Sequence, residues 1–269
     1  MRLLVSVFGA AAAAAMAFFD HTNADPTYLN ACASRIAESL NNLLQTGQAS
    51  SNYVQCTKDS SGNGYTAGII NFSTSNGNAW QVVNKYMASD SYGGEFDTYA
   101  NEIDMYAKDG SSSTNSLDGF CSAWGKAANN ATHAFINSQN DILNTNYFSP
   151  AAKAANSLGI KLDVTKAAIL DSAIMDGSSS LGRIMLDTNN SINSTIEGNS
   201  GNYVMLYGLY KIDEIEWLKL FLKQRQKENS SDMPNVASYN YIIENNPYNW
   251  DGIYIAALDS SGEKIVISC

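Results

Sequence analysis

Histidine is nearly absent. Its two copies, His21 and His133, stand far apart in a chain of 269 residues. A Ser-His-Asp triad would have to rest on His133 alone, and no Gly-x-Ser-x-Gly elbow accompanies it. No histidine or cysteine cluster has zinc spacing, and no Walker loop is present, so neither a metal nor a cofactor is expected. Long apolar runs are missing outside the first residues, and so are internal repeats and any stretch long or biased enough to be a domain linker. Basic residues are few: 16 Lys+Arg against 26 Asp+Glu, a formal net charge of −10. Such a balance does not suit nucleic acid or anionic membranes, and it does suit a polycationic partner.

What is present begins with a leader. Arg2 precedes an apolar stretch to Phe19, and Ala15-Met16-Ala17 is a small-x-small cleavage site. Residues 1–17 therefore read as a signal peptide too short to span a bilayer, and 18–269 as one catalytic domain of a secreted protein, expected to be a monomer. Loss of Arg2 takes the 16 basic residues to 15 against 26 acidic, a net charge of −11. Four cysteines (Cys32, Cys56, Cys121, Cys269) in an oxidising compartment suggest two disulfides. Of the three pairings, Cys32–Cys56 with Cys121–Cys269 is the expected one. Asn-x-Ser/Thr triplets start at Asn71, Asn130, Asn189, Asn193 and Asn229.

Ser-, Asn- and Gly-rich patches at 45–52, 57–64, 108–119, 176–180 and 187–202 read as loops. Ile36, Leu40, Leu43 and Leu44 give 28–44 a helical period. Residues 65–74 are rich in β-branched and aromatic types and predict a strand or hairpin arm. Further helices are expected near 77–88, 95–107, 120–144, 149–158, 163–176, 204–226 and 235–243. The fold class is therefore mainly α (α+β), with a minor sheet. Gly62-Asn63-Gly64-Tyr65-Thr66-Ala67 matches a dinucleotide fingerprint in letters only, because a polar loop precedes it and a strand follows.

With histidine, metal and cofactor chemistry ruled down, carboxylates remain. A glycosidase needs two of them, one protonated and one ionised, and nothing else. Residues 167–175 are apolar nearly all round, so Asp171 belongs to a buried helix, where a lone carboxylate is costly. Arg225 shares a helical face with Ile215, Leu218, Phe221 and Leu222. Two charges of opposite sign on apolar faces are best explained by each other. Trp80, Trp124 and Trp217 could stack on sugars, but tryptophan is more often core.

Several segments, in order over 34–226, resemble glycoside hydrolase family 46. Gly62 to Phe72 is similar to that family's Gly-Arg-Gly-Tyr-Thr-x-Gly-Ile-Ile-Gly-Phe signature. Ser73 to Asn78 is similar to its Ser-Gly-Thr-Gly-Asp turn. Gln139-Asn140-Asp141 and Tyr147-Phe148-Ser149-Pro150-Ala151 match its Gln-Asn-Asp…Tyr-Phe-x-Pro-Ala block, and Asp171 to Gly177 its Asp-Ala-Ile-Val-Met-His-Gly. The resemblance implies two helical lobes with a small antiparallel sheet at the cleft, as in lysozyme. It also implies internal cleavage of chitosan, a cationic amino-sugar polymer, with inversion. It puts Glu38 in the place of the general acid and Thr66 in that of a threonine holding the attacking water. It sets Tyr65, Asn63 and Asn78 along the sugar groove, and Asp171 and Arg225 in a supporting ion-pair network. The family's base stands immediately before the Gly-Arg-Gly-Tyr-Thr run. Here Ser61 stands there, and Asp59 takes the role if two residues are inserted after it. Asn63 replaces an arginine and Asn78 an aspartate, which leaves two alternatives: a catalytically impaired binder on the same fold, or a hydrolase of another amino-sugar polymer.

Overall fold

Asn30 starts the first helix by accepting the N–H of Ala33 on its side chain at 2.8 Å, and Gly47 ends it in the left-handed region. That helix, α1 (Ala31–Thr46), buries Ile36, Leu40, Leu43 and Leu44 as its period predicts. The structure is a computed structural model describing residues 28–60, 62–229, 233–245, 248–252 and 254–269. The leader at 1–17, His21 and Ser61 lie outside the described residues.

After α1 come three short strands, β1 (Cys56–Lys58), β2 (Tyr65–Ala67) and β3 (Phe72–Ser73), in one antiparallel sheet of that order. Thr57 faces Thr66, and Thr66 faces Ser73. The false fingerprint at 62–67 is thus the turn and second arm of a β-hairpin. Helices α2 (Asn78–Met87), α3 (Ala100–Asp109), α4 (Phe120–Ala128) and α5 (Ala134–Leu143) pack beside this sheet around Tyr86, Phe96, Phe120, Trp124 and Phe135. A π-helical turn at Asn144–Phe148 joins α5 to α6 (Ser149–Leu158). The second helical group follows: α7 (Asp163–Asp176), α8 (Ser178–Asn190), α9 (Glu214–Glu228) and α10 (Met233–Asn245), with hairpins β4 (Tyr203–Leu206)/β5 (Tyr210–Asp213) and β6 (Tyr254–Leu258)/β7 (Lys264–Ser268). α1 packs on α7 and β7, and the π turn touches both α6 and α7. The fold is the expected one, mostly helical and lysozyme-like with small antiparallel sheets.

Several expectations are corrected. The disulfides are Cys32–Cys269 and Cys56–Cys121, not Cys32–Cys56 and Cys121–Cys269. Cys32 sits in the first turn of α1, and the remaining helical residues to Thr46 carry the chain about 21 Å away before Cys56 is reached. The helix expected over 204–226 begins only at Glu214, where Asp213 caps it through the N–H groups of Ile215 and Glu216. Residues 203–213 form a hairpin instead, turned through Tyr207 and Gly208 at positive φ. The helix expected over 120–144 is two, broken at Asn129–His133, with His133 left-handed and exposed. The Ser-rich loop expected at 176–180 opens α8, whose Leu181, Ile184, Met185 and Thr188 carry a buried helical stripe. The β6–β7 hairpin was not expected at all.

Candidate active site

The side of α1 away from the Leu/Ile stripe carries Ser34, Ala37, Glu38 and Asn41, spaced at one turn each. They form one wall of a pocket. Ile69 and Ile70, from the turn after β2, form another, and Leu143, Phe148, Leu170 and Ile174 close it. Glu38 is therefore a partly exposed carboxyl against an apolar surface. Burial pushes its pKa above the usual glutamate range, and a hydrogen bond from the Ser51 hydroxyl pulls part of the way back. Ser51 itself accepts from Asn42 Nδ2 at 3.4 Å, so the loop after α1 is held to the helix at the acid.

Tyr53 is the second fixed point. Its carbonyl accepts from Trp124 Nε1 (2.9 Å) and Gln139 Nε2 (3.1 Å), and its hydroxyl donates to Asn140 Oδ1 (3.0 Å). Burial, and then the Glu38 carboxylate, push its pKa up to about 12, so it stays a neutral phenol beside the acid. Gln139, fully buried, also takes the N–H of Ile69 on its Oε1 at 3.2 Å. The Gln139-Asn140-Asp141 run thus pins both the entry to β1 and the turn after β2, while Asp141 pairs with Lys85 at 3.0 Å.

Asp59 follows β1 directly. Its N–H donates to the Gly64 carbonyl at 2.8 Å, and its carboxylate accepts from Asn63 Nδ2 at 2.5 Å. Gly64 has φ +74, and a Cβ there would run into the Thr74 hydroxyl, which also receives the Tyr65 N–H at 3.0 Å. Glycine is required at that point of the hairpin for both reasons. Thr66 is half-exposed on β2, its hydroxyl 3.3 Å from that of Thr57. The Tyr65 ring leans on Phe120 with centroids 5.7 Å apart. Asn78, at the start of α2, donates to the Tyr147 hydroxyl in the π turn. Burial pushes the pKa of Tyr147 up to about 12, against that bond. The π turn has a visible cause. An α-helix would bring the N–H of residue 150 to the Asn146 carbonyl, but residue 150 is proline, and Ser178 Oγ donates there instead (2.9 Å).

The buried ion pair is present. Arg225 meets Asp171 at 2.5 Å and Asp176 at 2.9 Å, with both side chains of the first pair essentially inaccessible. Asn41 and Asn235 donate to Asp171 at 2.8 and 3.0 Å, and Ser172 donates to Asp176 at 2.7 Å. Asn41 lies one turn after Glu38, so the network ends on the helix that carries the acid. Asp176, Asn41, Asn235, Ser51 and the π-turn tyrosine were not anticipated. Two of them left a signal: Asp176 as a second acid at the end of the apolar 167–175 run, and Tyr147 as the first residue of the matched Tyr-Phe-x-Pro-Ala block. Trp124 and Trp217 are fully buried core residues. Among the described residues no group of three or more His, Cys, Asp or Glu could hold a metal ion.

Comparison with known proteins gives a consistent picture. The family model described as Glycosyl hydrolase family 46 matches residues 36–241. A chitosanase of Bacillus subtilis (strain 168) is 28% identical over 215 residues, covering 78% of this chain and 71% of the relative. The native chitosanase of Bacillus subtilis MY002 superposes with a TM-score of 0.75 at 26% identity, over 89% of this chain and all of that one. A mutant of that protein, complexed with 6 GlcN, gives 0.74 over the same shares. The Gynuella sunshinyii GH46 chitosanase, at 22% identity and a TM-score of 0.74, covers 90% of this chain and 99% of its own, and supports the fold.

Proposed function

Because this chain belongs to glycosyl hydrolase family 46 and is therefore a glycosidase, we propose that it is a secreted chitosanase that cuts β-1,4 bonds within the polymer, with inversion. The carrying observation is Glu38: a partly covered carboxyl on an apolar wall, raised in pKa, as a proton donor at neutral pH needs to be. Glu38 gives its proton to the glycosidic oxygen as the C1–O bond breaks. Asp59 takes a proton from the water that attacks C1 from the other face, and Thr66 helps to hold that water. An inverting pair leaves roughly 6.5–9.5 Å between carboxyls for the water. The net charge of −10 and the chitosanase relatives favour a cationic amino-sugar chain as substrate.

The position of Asp59 supports its role: it directly follows β1, and the bond from its N–H to the Gly64 carbonyl closes the 60–63 loop behind it, where two inserted residues can be absorbed. Its bond to Asn63 favours a second reading, in which the carboxylate is engaged and the protein binds the polymer without turning it over. The test is reducing-end release from soluble chitosan, with the anomer of the first product read by NMR. The expected product from wild type is the α-anomer. Glu38→Gln and Asp59→Asn should each lose about 10²–10⁴-fold in rate with the fold intact. A wild-type rate in Asp59→Asn beside an inactive Glu38→Gln would assign the base elsewhere, and no turnover by wild type would favour the binder.

A further inference from the structure

Five Asn-x-Ser/Thr triplets occur in the chain, and the fold treats them unequally. Asn71 sits at φ 56 in the turn between β2 and β3, its Oδ1 held by Gln55 Nε2 at 2.9 Å. Asn130 is half-buried, bonded by Thr132 and to the hydroxyl of buried Tyr86. Asn189 accepts the indole N–H of fully buried Trp217 at 2.9 Å, which aims its amide inward. Asn229 donates to Asp176 at 3.3 Å, at the edge of the arginine network. A sugar on any of these four amides would have to displace a packed or bonded neighbour.

Asn193 differs. Asn193, Ser194 and Thr195 are all exposed, between the buried anchor Ile192 and Ile196, which bridges to Ile212 on β5. A second observation converges on the same place. Four of the largest exposed apolar side chains on the protein are Leu186 (55%), Met205 (53%), Tyr207 (61%) and Leu209 (72%). Tyr207 donates to Asn190, three residues before Asn193, at 3.0 Å. The Thr195 hydroxyl accepts the N–H of Lys211 at 3.3 Å, and Lys211 is the strand partner of Met205. The triplet and the apolar hairpin are therefore neighbours. Scattered exposed apolar residues are ordinary, but a cluster calls for a cover.

We propose that Asn193 is an N-glycosylation site whose glycan lies over the β4–β5 hairpin and α8. This rests on the proposed secretion, through a pathway that supplies an oligosaccharide on a lipid diphosphate. Asn193 Nδ2 bonds to C1 of the first sugar, the bond from C1 to the diphosphate oxygen breaks, the lipid diphosphate leaves with the electron pair, and Nδ2 gives up one proton. None of the residues around Asn193 lines the Glu38 pocket, so turnover is independent of the glycan.

The test is expression of the complete chain in a secreting yeast, in two arms: with its own N-terminus, and behind a yeast leader. Secreted protein is treated with an endoglycosidase and mapped by peptide mass. The expected result is one N-acetylglucosamine remnant, on the Asn193 peptide, lost in Asn193→Gln and Thr195→Val and kept in Thr195→Ser. Asn193→Gln should retain wild-type turnover within twofold and bind at least twice as much of an apolar-surface dye. An unmodified Asn193 in folded, secreted protein, or remnants at Asn71, Asn130, Asn189 or Asn229 instead, would overturn the assignment. Equal dye binding with and without the glycan would overturn the covering role. Absence from the medium only in the arm with its own N-terminus would count against the leader, while the other arm still reads the acceptor.

Discussion

Glu38 carries an energetic cost that its own titration exposes. The folded state holds its pKa above the 4.5 of a free glutamate, through burial. Between 4.5 and the raised value the folded state binds more protons than the unfolded chain, so stability falls as pH rises through that window. Glu38→Gln removes the penalty. Its melting temperature should match wild type at pH 4 and below, then exceed it increasingly as pH rises, in the same protein that has lost its activity. Equal melting curves at every pH would show that the carboxyl is solvated. In wild type, the alkaline limb of kcat/KM should fall above the ordinary glutamate range for the same reason. On a helical wheel Glu38 lies opposite the Ile36/Leu40/Leu43/Leu44 stripe, which by itself fits a surface residue equally well. Only the walls from other parts of the chain, Ile69 and Leu170 among them, turn that face into a site. Ser51 and Tyr53 were illegible as site residues because a loop, not a period, brings them to the acid.

At the level of elements, Arg225 joins α9 to α7 and, through Asn235 and Asn41, couples α10 and α1 to the same carboxylate. Arg225→Ala leaves two buried acids without their cation. The expected loss is about 3–5 kcal/mol of stability, read as a lower denaturation midpoint, with turnover falling as α1 loosens. An unchanged midpoint would mean that water takes over the network. This pair was legible because charge on an apolar helical face is costly by itself. The helices α1, α2, α6 and α10 were legible within a few residues, since each buries one continuous stripe, and α7 was legible because it is apolar nearly all round. The β4–β5 hairpin was not. Val204, Leu206 and Ile212 alternate, but they run straight into the apolar face of α9, and the cap at Asp213 that separates them works through side-chain bonds rather than spacing. The Ser-rich start of α8 concealed a stripe that its apolar residues carried all along.

For the whole molecule, the acidic charge of −10 predicts that binding to a polycation weakens steeply with salt, because at about 0.15 M ionic strength charges more than about 8 Å apart are largely screened. Chitosan affinity measured from low salt to several hundred millimolar should fall continuously; a flat profile would mean that contact, not field, governs binding. Which cysteines meet was beyond the sequence, since sequence distance says little once α1 has carried the chain across the molecule. The observed pairing has a topological result. Cys32 and Cys269 are 237 residues apart, and Cys56–Cys121 lies wholly inside that span. Between residues 32 and 269 the backbone is a closed hoop with a smaller hoop within it. A protease that nicks the exposed stretch between Asn115 and Ser116 opens both hoops without parting the pieces. The nicked protein would migrate as one band without reductant and as two with it. Such a molecule can take that cut and still hold Glu38 on α1 and the Asp171–Arg225 pair on α7 and α9, which fall in different pieces, on one covalent body.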